Sequence, residues 1–282
     1  MTQIPEYVRP PTLPDFENPP VSEVVLAVRF APLEVGAILL AVVGHEVFGS
    51  ELPRTEEHPP VVMPIEEFGG GGRDRDLDEI LETPPSPRFW FISESGNEVA
   101  QVQEDFFARN WRREDASGVI YPHFDAVREP FIEGYLAFSD ALGEQTGKAL
   151  TPIQCEVTYV NHLLPGPTWS AHREFAKVLG WPAPRQTSFL PEAESARVVM
   201  KYVIQQSGEP IGRLQASSQP AFRRIDQLPV IIFNLTARGR PLSDDLGGVV
   251  RFMDIGHEWI VRGFKELTTP AMHREWGLKD GE

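Results

Sequence analysis

Two helix-length stripes of apolar residues, each following a series of short alternating segments, constrain this chain more than any other feature. The first stripe is Phe124, Val127, Phe131, Tyr135, Phe138 and Leu142. The second is Val249, Met253, Ile260, Phe264 and Leu267. Such spacing lines one face of a helix, and that face has to be buried. The preceding segments alternate instead. Val24, Leu26, Val28 and Phe30 share one side of 21–30, and Ile153, Cys155, Val157 and Tyr159 share one side of a later run. That is the period of a half-buried strand.

Further elements follow from the same patterns. Leu33 to Phe48 is apolar almost all round and reads as a short buried helix. Segments 88–93 and 98–103 flank Glu94-Ser95-Gly96-Asn97, a hairpin signal. The second of these strands is expected to continue through Phe106 to Arg112. Tyr121-Pro122 opens the first long helix, Pro130 predicts a kink or break in it, and Gly147 ends it. A short helix is expected near 170–179, followed by strands over 196–206, 211–219 and 229–237. The second long helix runs from about Ser243 to Leu267. Thr269-Pro270 then caps a short helix over 270–276, closed by Gly277.

Each half thus reads strand, helix, loop, two or three strands, long helix. The expected fold is α+β: two topologically repeated β-α-β(2-3)-α halves, 21–148 and 149–282, forming one mostly antiparallel curved sheet with the long helices on one face. The repeat is one of topology and not of residues. This order resembles the duplicated TATA-binding-protein-like and helix-grip folds, a likeness that implies no function. Residues 1–20 hold Pro5, Pro10, Pro11, Pro14, Pro19 and Pro20, which forbid a helix and predict an extended arm. Residues 49–87 hold seven prolines and Gly69 to Gly72, and read as a long acidic surface loop, partly disordered. The four glycines are followed by no Lys-Ser or Lys-Thr, so they do not read as a phosphate cradle.

Lysine and arginine number 26 against 41 acids, a net charge of −15. That charge repels phosphate and makes nucleic acid an unfavoured partner; it suits a basic protein partner. The first residues carry no basic stretch followed by an apolar run. The longest apolar run, Val35 to Gly44, is too short to cross a bilayer. With Cys155 as the one cysteine, no intrachain disulfide can form, and the expected location is cytoplasmic. His45-Glu46 and His257-Glu258 lack a second histidine four residues on, so no helical metal site is expected. Neither a Gly-x-Ser-x-Gly elbow nor a strand followed by Gly-x-Gly-x-x-Gly occurs, and no cofactor is expected. Cys155 reads as a packed, inert thiol.

The candidate binding residues are Asn110, Trp111, Arg112, Tyr159, Asn161, His257, Glu258 and Arg262; no catalytic residue is assigned. Asn110-Trp111-Arg112-Arg113 joins an aromatic ring to two cations, which could stack a base or simply offset nearby acids. Tyr159 and Asn161 share a strand face, where a buried amide must find partners. His257 lies on the apolar stripe, either as a satisfied core histidine or as a ligand-facing one. Glu258 and Arg262 are four apart and can pair on the opposite side.

PPVSEVVLAVRF at 19–30, RNWRR at 109–113, YPHFDAV at 121–127, YVNHL at 159–163 and GHEWIVRGFKELTTPAMHREWG at 256–277 together resemble a sporadically distributed family of uncharacterised bacterial proteins of about this length. The likeness spans nearly the whole chain and is most specific in the last segment; the insert at 49–87 looks atypical. The resemblance implies no activity and no catalytic residue. The family's patchy occurrence resembles that of mobile or defence-linked genes.

The favoured reading is a non-enzymatic protein- or ligand-binding scaffold. Its expected partner is a protein, such as a basic toxin or phage-defence effector met in an antitoxin-like role, with a homodimer through the arm as a further option. An enzyme is the first alternative, with a cleft of His257, Glu258, Arg262, Tyr159 and Asn161, and it requires His257 to meet a carboxylate in one pocket. A single-stranded nucleic-acid binder is the second. It would use Trp111, Arg112, Arg113, Arg223 and Arg224 and requires a basic stripe on the open sheet face.

Overall fold

The period-two segments do pair into a sheet. The structure is a computed structural model that describes residues 4–68, 86–113, 120–180 and 188–279. Nine strands form a single sheet among these residues: β1 (Val21–Phe30), β2 (Arg54–His58), β3 (Arg88–Ile92), β4 (Glu98–Gln103), β5 (Phe106–Arg112), β6 (Pro152–Leu163), β7 (Val198–Gln206), β8 (Glu209–Phe222) and β9 (Pro229–Gly239). Their order is β2-β3-β4-β5-β1-β6-β9-β8-β7. All neighbouring pairs run antiparallel. The fold is therefore α+β on one antiparallel sheet.

β1 and β6 meet at the centre, with Val24 opposite Tyr159 and Val28 opposite Cys155. These residues point to the face covered by helices α1 (Ala37–Phe48), α2 (Asp125–Thr146) and α3 (Leu246–Leu267). α1 packs on β3 and β4, α2 on β5 and β1, and α3 on β6, β9 and β8. Both long stripes are buried there as their spacing predicts. Burial also pushes the Cys155 thiol pKa far up, leaving it an apolar filler. α3 reaches β8 and β9 because Gly212 and Gly239, directly opposite each other, leave room for the Phe252 ring. A Cβ on Gly239 would collide with that ring and with the Ile211 carbonyl.

Several boundaries differ from expectation. The strand after the first hairpin does not continue through Phe106: Glu104-Asp105 reverses the chain, and Gln103 pairs with Phe106. Neither turn residue is glycine or asparagine, so the strong two-residue hairpin signal is missing. α1 starts at Ala37 and not at Leu33, because Glu34 takes a left-handed backbone (φ 52°) that no helix can pass through. α2 runs unbroken through Pro130. The carbonyl deprived of its amide partner belongs to Ala126, which is exposed. The expected helix at 170–179 is a 3-10 helix, His172–Lys177. A six-residue helix, α4 (Pro270–Glu275), starts at the Thr269 cap as expected, with Thr269 Oγ1 accepting from the Met272 amide.

The 49–87 segment is more ordered at its start than its composition suggests. β2 forms an outer strand whose charged residues protect an edge. Residues 59–68 then cross the sheet face opposite the helices. The Val61 amide donates to Gln103 Oε1 (2.8 Å), Arg29 Nη1 donates to the Met63 carbonyl (3.0 Å), and Arg213 and Arg238 pair with Glu66. The glycine run Gly69–Gly72 and the rest of the loop to residue 85 lie outside the described residues. No helix among the described residues is long and apolar enough to cross a membrane.

Candidate functional site: a cavity beneath the N-terminal arm

Alternation along β6 turns Tyr159 and Asn161 toward the helices, and both are buried. On α3, His257 falls one turn after Met253 and faces the same space. The third wall comes from the entry to α2. His123 holds a left-handed backbone (φ 70°), which bends the chain so that Tyr121 and Phe124 both point inward. The arm supplies the last wall through Tyr7, Arg9, Leu13 and Phe16. Together they enclose a cavity of about 480 Å³, within the range of small-molecule sites.

A chain of hydrogen bonds crosses the inner wall. Tyr121 and Tyr159 share a bond of 2.9 Å between their hydroxyls, and the Tyr159 hydroxyl is 2.8 Å from His257 Nδ1. The imidazole stacks on Phe124 with ring centres 4.0 Å apart and planes 1° from parallel, while Tyr7 meets both rings edge-on. Asn161 is fixed by donating from Nδ2 to the Phe233 carbonyl (3.0 Å).

Burial dominates the electrostatics here. Desolvation, followed by electrostatic effects of Arg9 and His123, lowers the His257 pKa to about 3. Desolvation raises Tyr7 to about 12, helped by Asp125 and Asp254. Tyr159 and Tyr121 are pushed up as well, again chiefly by burial. The inner wall is therefore polar and uncharged at neutral pH.

This state predicts a pH dependence. Between pH 3 and the ordinary histidine value of 6.5, the unfolded chain binds a proton that folded His257 refuses. The stability due to neutral His257 is complete above pH 6.5 and is lost as pH falls toward 3, by at most about 1.4 kcal/mol per unit. Thermal melts from pH 7 to pH 4 should fall more steeply for the wild type than for His257→Phe. Parallel curves would mean that the histidine ionises in place.

The arm is held at several points. Arg128 Nη2 donates to the Pro5 carbonyl (2.6 Å), and Arg262 Nη2 to Thr12 Oγ1 (3.0 Å). Asp15 pairs with Lys279 (2.7 Å), and the Glu17 and Asn18 amides donate to the carbonyls of Gly277 and Trp276. Phe16 sits edge-on to Phe264 and Trp276. A proline-rich strand has few amides to satisfy, which is why side chains do most of this anchoring.

The candidate residues divide. Tyr159, Asn161 and His257 share the cavity. Glu258 and Arg262 pair with each other (2.8 Å) on the side of α3 that meets the arm, and neither lines the cavity. Trp111 is buried against Tyr121, its ring centre 5.5 Å away, so it supports the inner wall from behind. Asn110 faces the other side of the sheet and bonds Glu23 and Gln101. Arg112 also points there, lying over Trp90 and donating to the Gly96 carbonyl. Arg113 and Arg224 are exposed, and Arg223 pairs with Asp226. The face opposite the helices carries balanced pairs, Arg29 with Asp105 and Arg238 with Glu156. No carboxylate is hydrogen-bonded to His257 among the described residues, although Asp125 lines the same cavity. The described residues also contain no group of three His, Cys, Asp or Glu placed to hold a metal.

Sequence reasoning missed Tyr7, Arg9, Tyr121, Phe124 and Asp125. The one available signal was YPHFDAV, where two aromatics and a histidine crowd a helix start.

No protein-family model matches the chain, and neither does any curated protein.

Proposed function

We propose that the chain is a non-enzymatic binding scaffold whose cavity holds a small, flat molecule beneath the arm. The observation that carries this is the Tyr121–Tyr159–His257 chain lining a cavity of ligand size. A few fixed polar groups in an otherwise mostly apolar wall are what orient a bound molecule. The low pKa of His257 speaks against general-base work near neutrality, since an effective base titrates near the working pH.

The sheet order supports a finer reading, that the fold is two equivalent halves. Each half places its first strand at the centre (β1, β6), its last strand beside it (β5, β9) and a long helix after that strand. Kinship with the sporadic bacterial family rests on the quoted segments, above all the C-terminal one. A basic protein partner and a cytoplasmic location rest on the net charge of −15 and the single cysteine.

A panel of one- and two-ring aromatic molecules tests the binding reading by thermal shift. A true ligand at a hundredfold excess over its Kd should add about 2.7 kcal/mol of stability. Val261→Trp, which fills the cavity from α3, should abolish the shift while leaving circular dichroism unchanged. A shift that survives Val261→Trp, or a panel with no saturable binder, overturns the proposal.

A further inference from the structure

We infer that the ligand presents a hydrogen-bond acceptor, a carbonyl or carboxylate oxygen, to Nε2 of His257. This deepens the small-molecule reading above and rests on it.

The Tyr121–Tyr159–His257 chain holds three protons and two internal links. Tyr121 and Tyr159 each have one hydroxyl proton, and a neutral imidazole has one N–H. Tyr121 is buried, and Tyr159 is its hydrogen-bond partner among the described residues. Suppose His257 Nδ1–H donated to Tyr159. Tyr159 would then either donate to Tyr121, leaving the Tyr121 proton without an acceptor, or accept from both neighbours, leaving its own proton without one. Both outcomes bury an unpaired hydroxyl. The opposite arrangement pairs both hydroxyl protons and leaves over only the imidazole proton. Tyr121 donates to Tyr159, Tyr159 donates to Nδ1, and the imidazole carries its hydrogen on Nε2.

That tautomer makes Nε2–H a donor. His257 is 6% exposed and lines the cavity. Tyr159 is its hydrogen-bond partner among the described residues, and it binds Nδ1. A second donor stands in the same wall, the buried Tyr7 hydroxyl, which has no hydrogen-bond partner among the described residues. Phe124, stacked on the imidazole, and the edge-on Tyr7 ring shape a slot for a planar body. Of the charged groups lining the cavity, Arg9 favours an anion and Asp125 opposes one, while Asp15 is paired with Lys279. Neutral and anionic acceptors are therefore both compatible, and the probes below separate them.

The test uses three probes with one ring system: 3-methylindole, 3-acetylindole and indole-3-carboxylate, titrated calorimetrically into the full chain. The expected result is that at least one acceptor-bearing probe binds tenfold or more tighter than 3-methylindole. His257→Phe should erase that preference, bringing the three probes within about twofold of one another. A preference for the ketone alone would identify a neutral acceptor, and one for the carboxylate alone an anionic acceptor. Equal binding of all three overturns the inference and leaves the small-molecule reading standing; binding of none overturns both. The tautomer is checked without any ligand, by long-range nitrogen–proton NMR correlations of the His257 ring in the wild-type protein. A proton on Nδ1 sinks the inference even if His257→Phe fails to fold.

Discussion

Replacing Arg128 with alanine should cost about 3–5 kcal/mol of stability and release the N-terminal arm. Arg128 is 1% exposed, a depth at which arginine is almost never found unless paired. It grips Asp254 with two nitrogens (2.8 and 3.3 Å), reaches Glu129 at 2.9 Å and donates to the Pro5 carbonyl at 2.6 Å. The two partners shift in ways that do not simply mirror each other. Burial outweighs Arg128 and keeps the Asp254 carboxyl above its usual range, whereas the two carboxylates outweigh burial and hold Arg128 up. The two-pronged geometry decides for an ionised pair. Removing the cation therefore strands a carboxylate in a poorly hydrated place. The Asp254 side chain keeps 21% of its exposure, which points to the lower end of the range. Urea denaturation measures the loss, and amide exchange at residues 4–9 measures the release. A loss below about 1 kcal/mol would mean that water already screens the pair.

Phe107→Ala should be comparably severe, about 3–5 kcal/mol. Phe107 is fully buried and touches Phe48, Phe131, Tyr135 and Phe138, so one ring joins β5, α1 and α2. Gly134 lets α2 come close at the same point, since a Cβ there would sit 3.2 Å from the Phe107 ring. Four large neighbours on two rigid helices cannot collapse into the space, and the full cavity cost should appear. Equilibrium denaturation with an unchanged slope would confirm it. A loss under about 2 kcal/mol would show that the neighbouring rings move in. Phe107 does not line the cavity, so Phe107→Ala separates the stability of the scaffold from its binding, whereas Arg128→Ala acts on both by freeing the arm that forms one wall.

The candidate site was half legible. Tyr159, Asn161 and His257 could be picked out because each combines a polar group with a position that the local period marks as inward. Glu258 and Arg262 were grouped with His257 by proximity in sequence. Helical geometry turns them about a quarter-turn or more away, and there Arg262 meets the arm at Thr12. Asn110 and Arg112 parted from Trp111 for the strand version of the same reason, since neighbours on a strand face opposite sides. The turn at Glu104-Asp105 and the start of α1 escaped notice because acidic residues occupy positions where a glycine would have announced the change of direction.

Local periodicity settled which residues turn inward: the α2 and α3 stripes, the buried side of β1 and β6, and the hairpin at Gly96 can be read off neighbouring positions alone. It could not settle what those residues face. Tyr159 and His257 are 98 positions apart, and Arg262 and Thr12 are 250 apart. The arm and the 59–68 segment have no period at all, because prolines leave them extended and their anchors are side chains from other elements. Their placement, and with it the cavity, exists only once the sheet has brought α2, α3 and the arm together. A repeating pattern records the water a side chain avoids, whereas its partner is chosen by the chain's path through space.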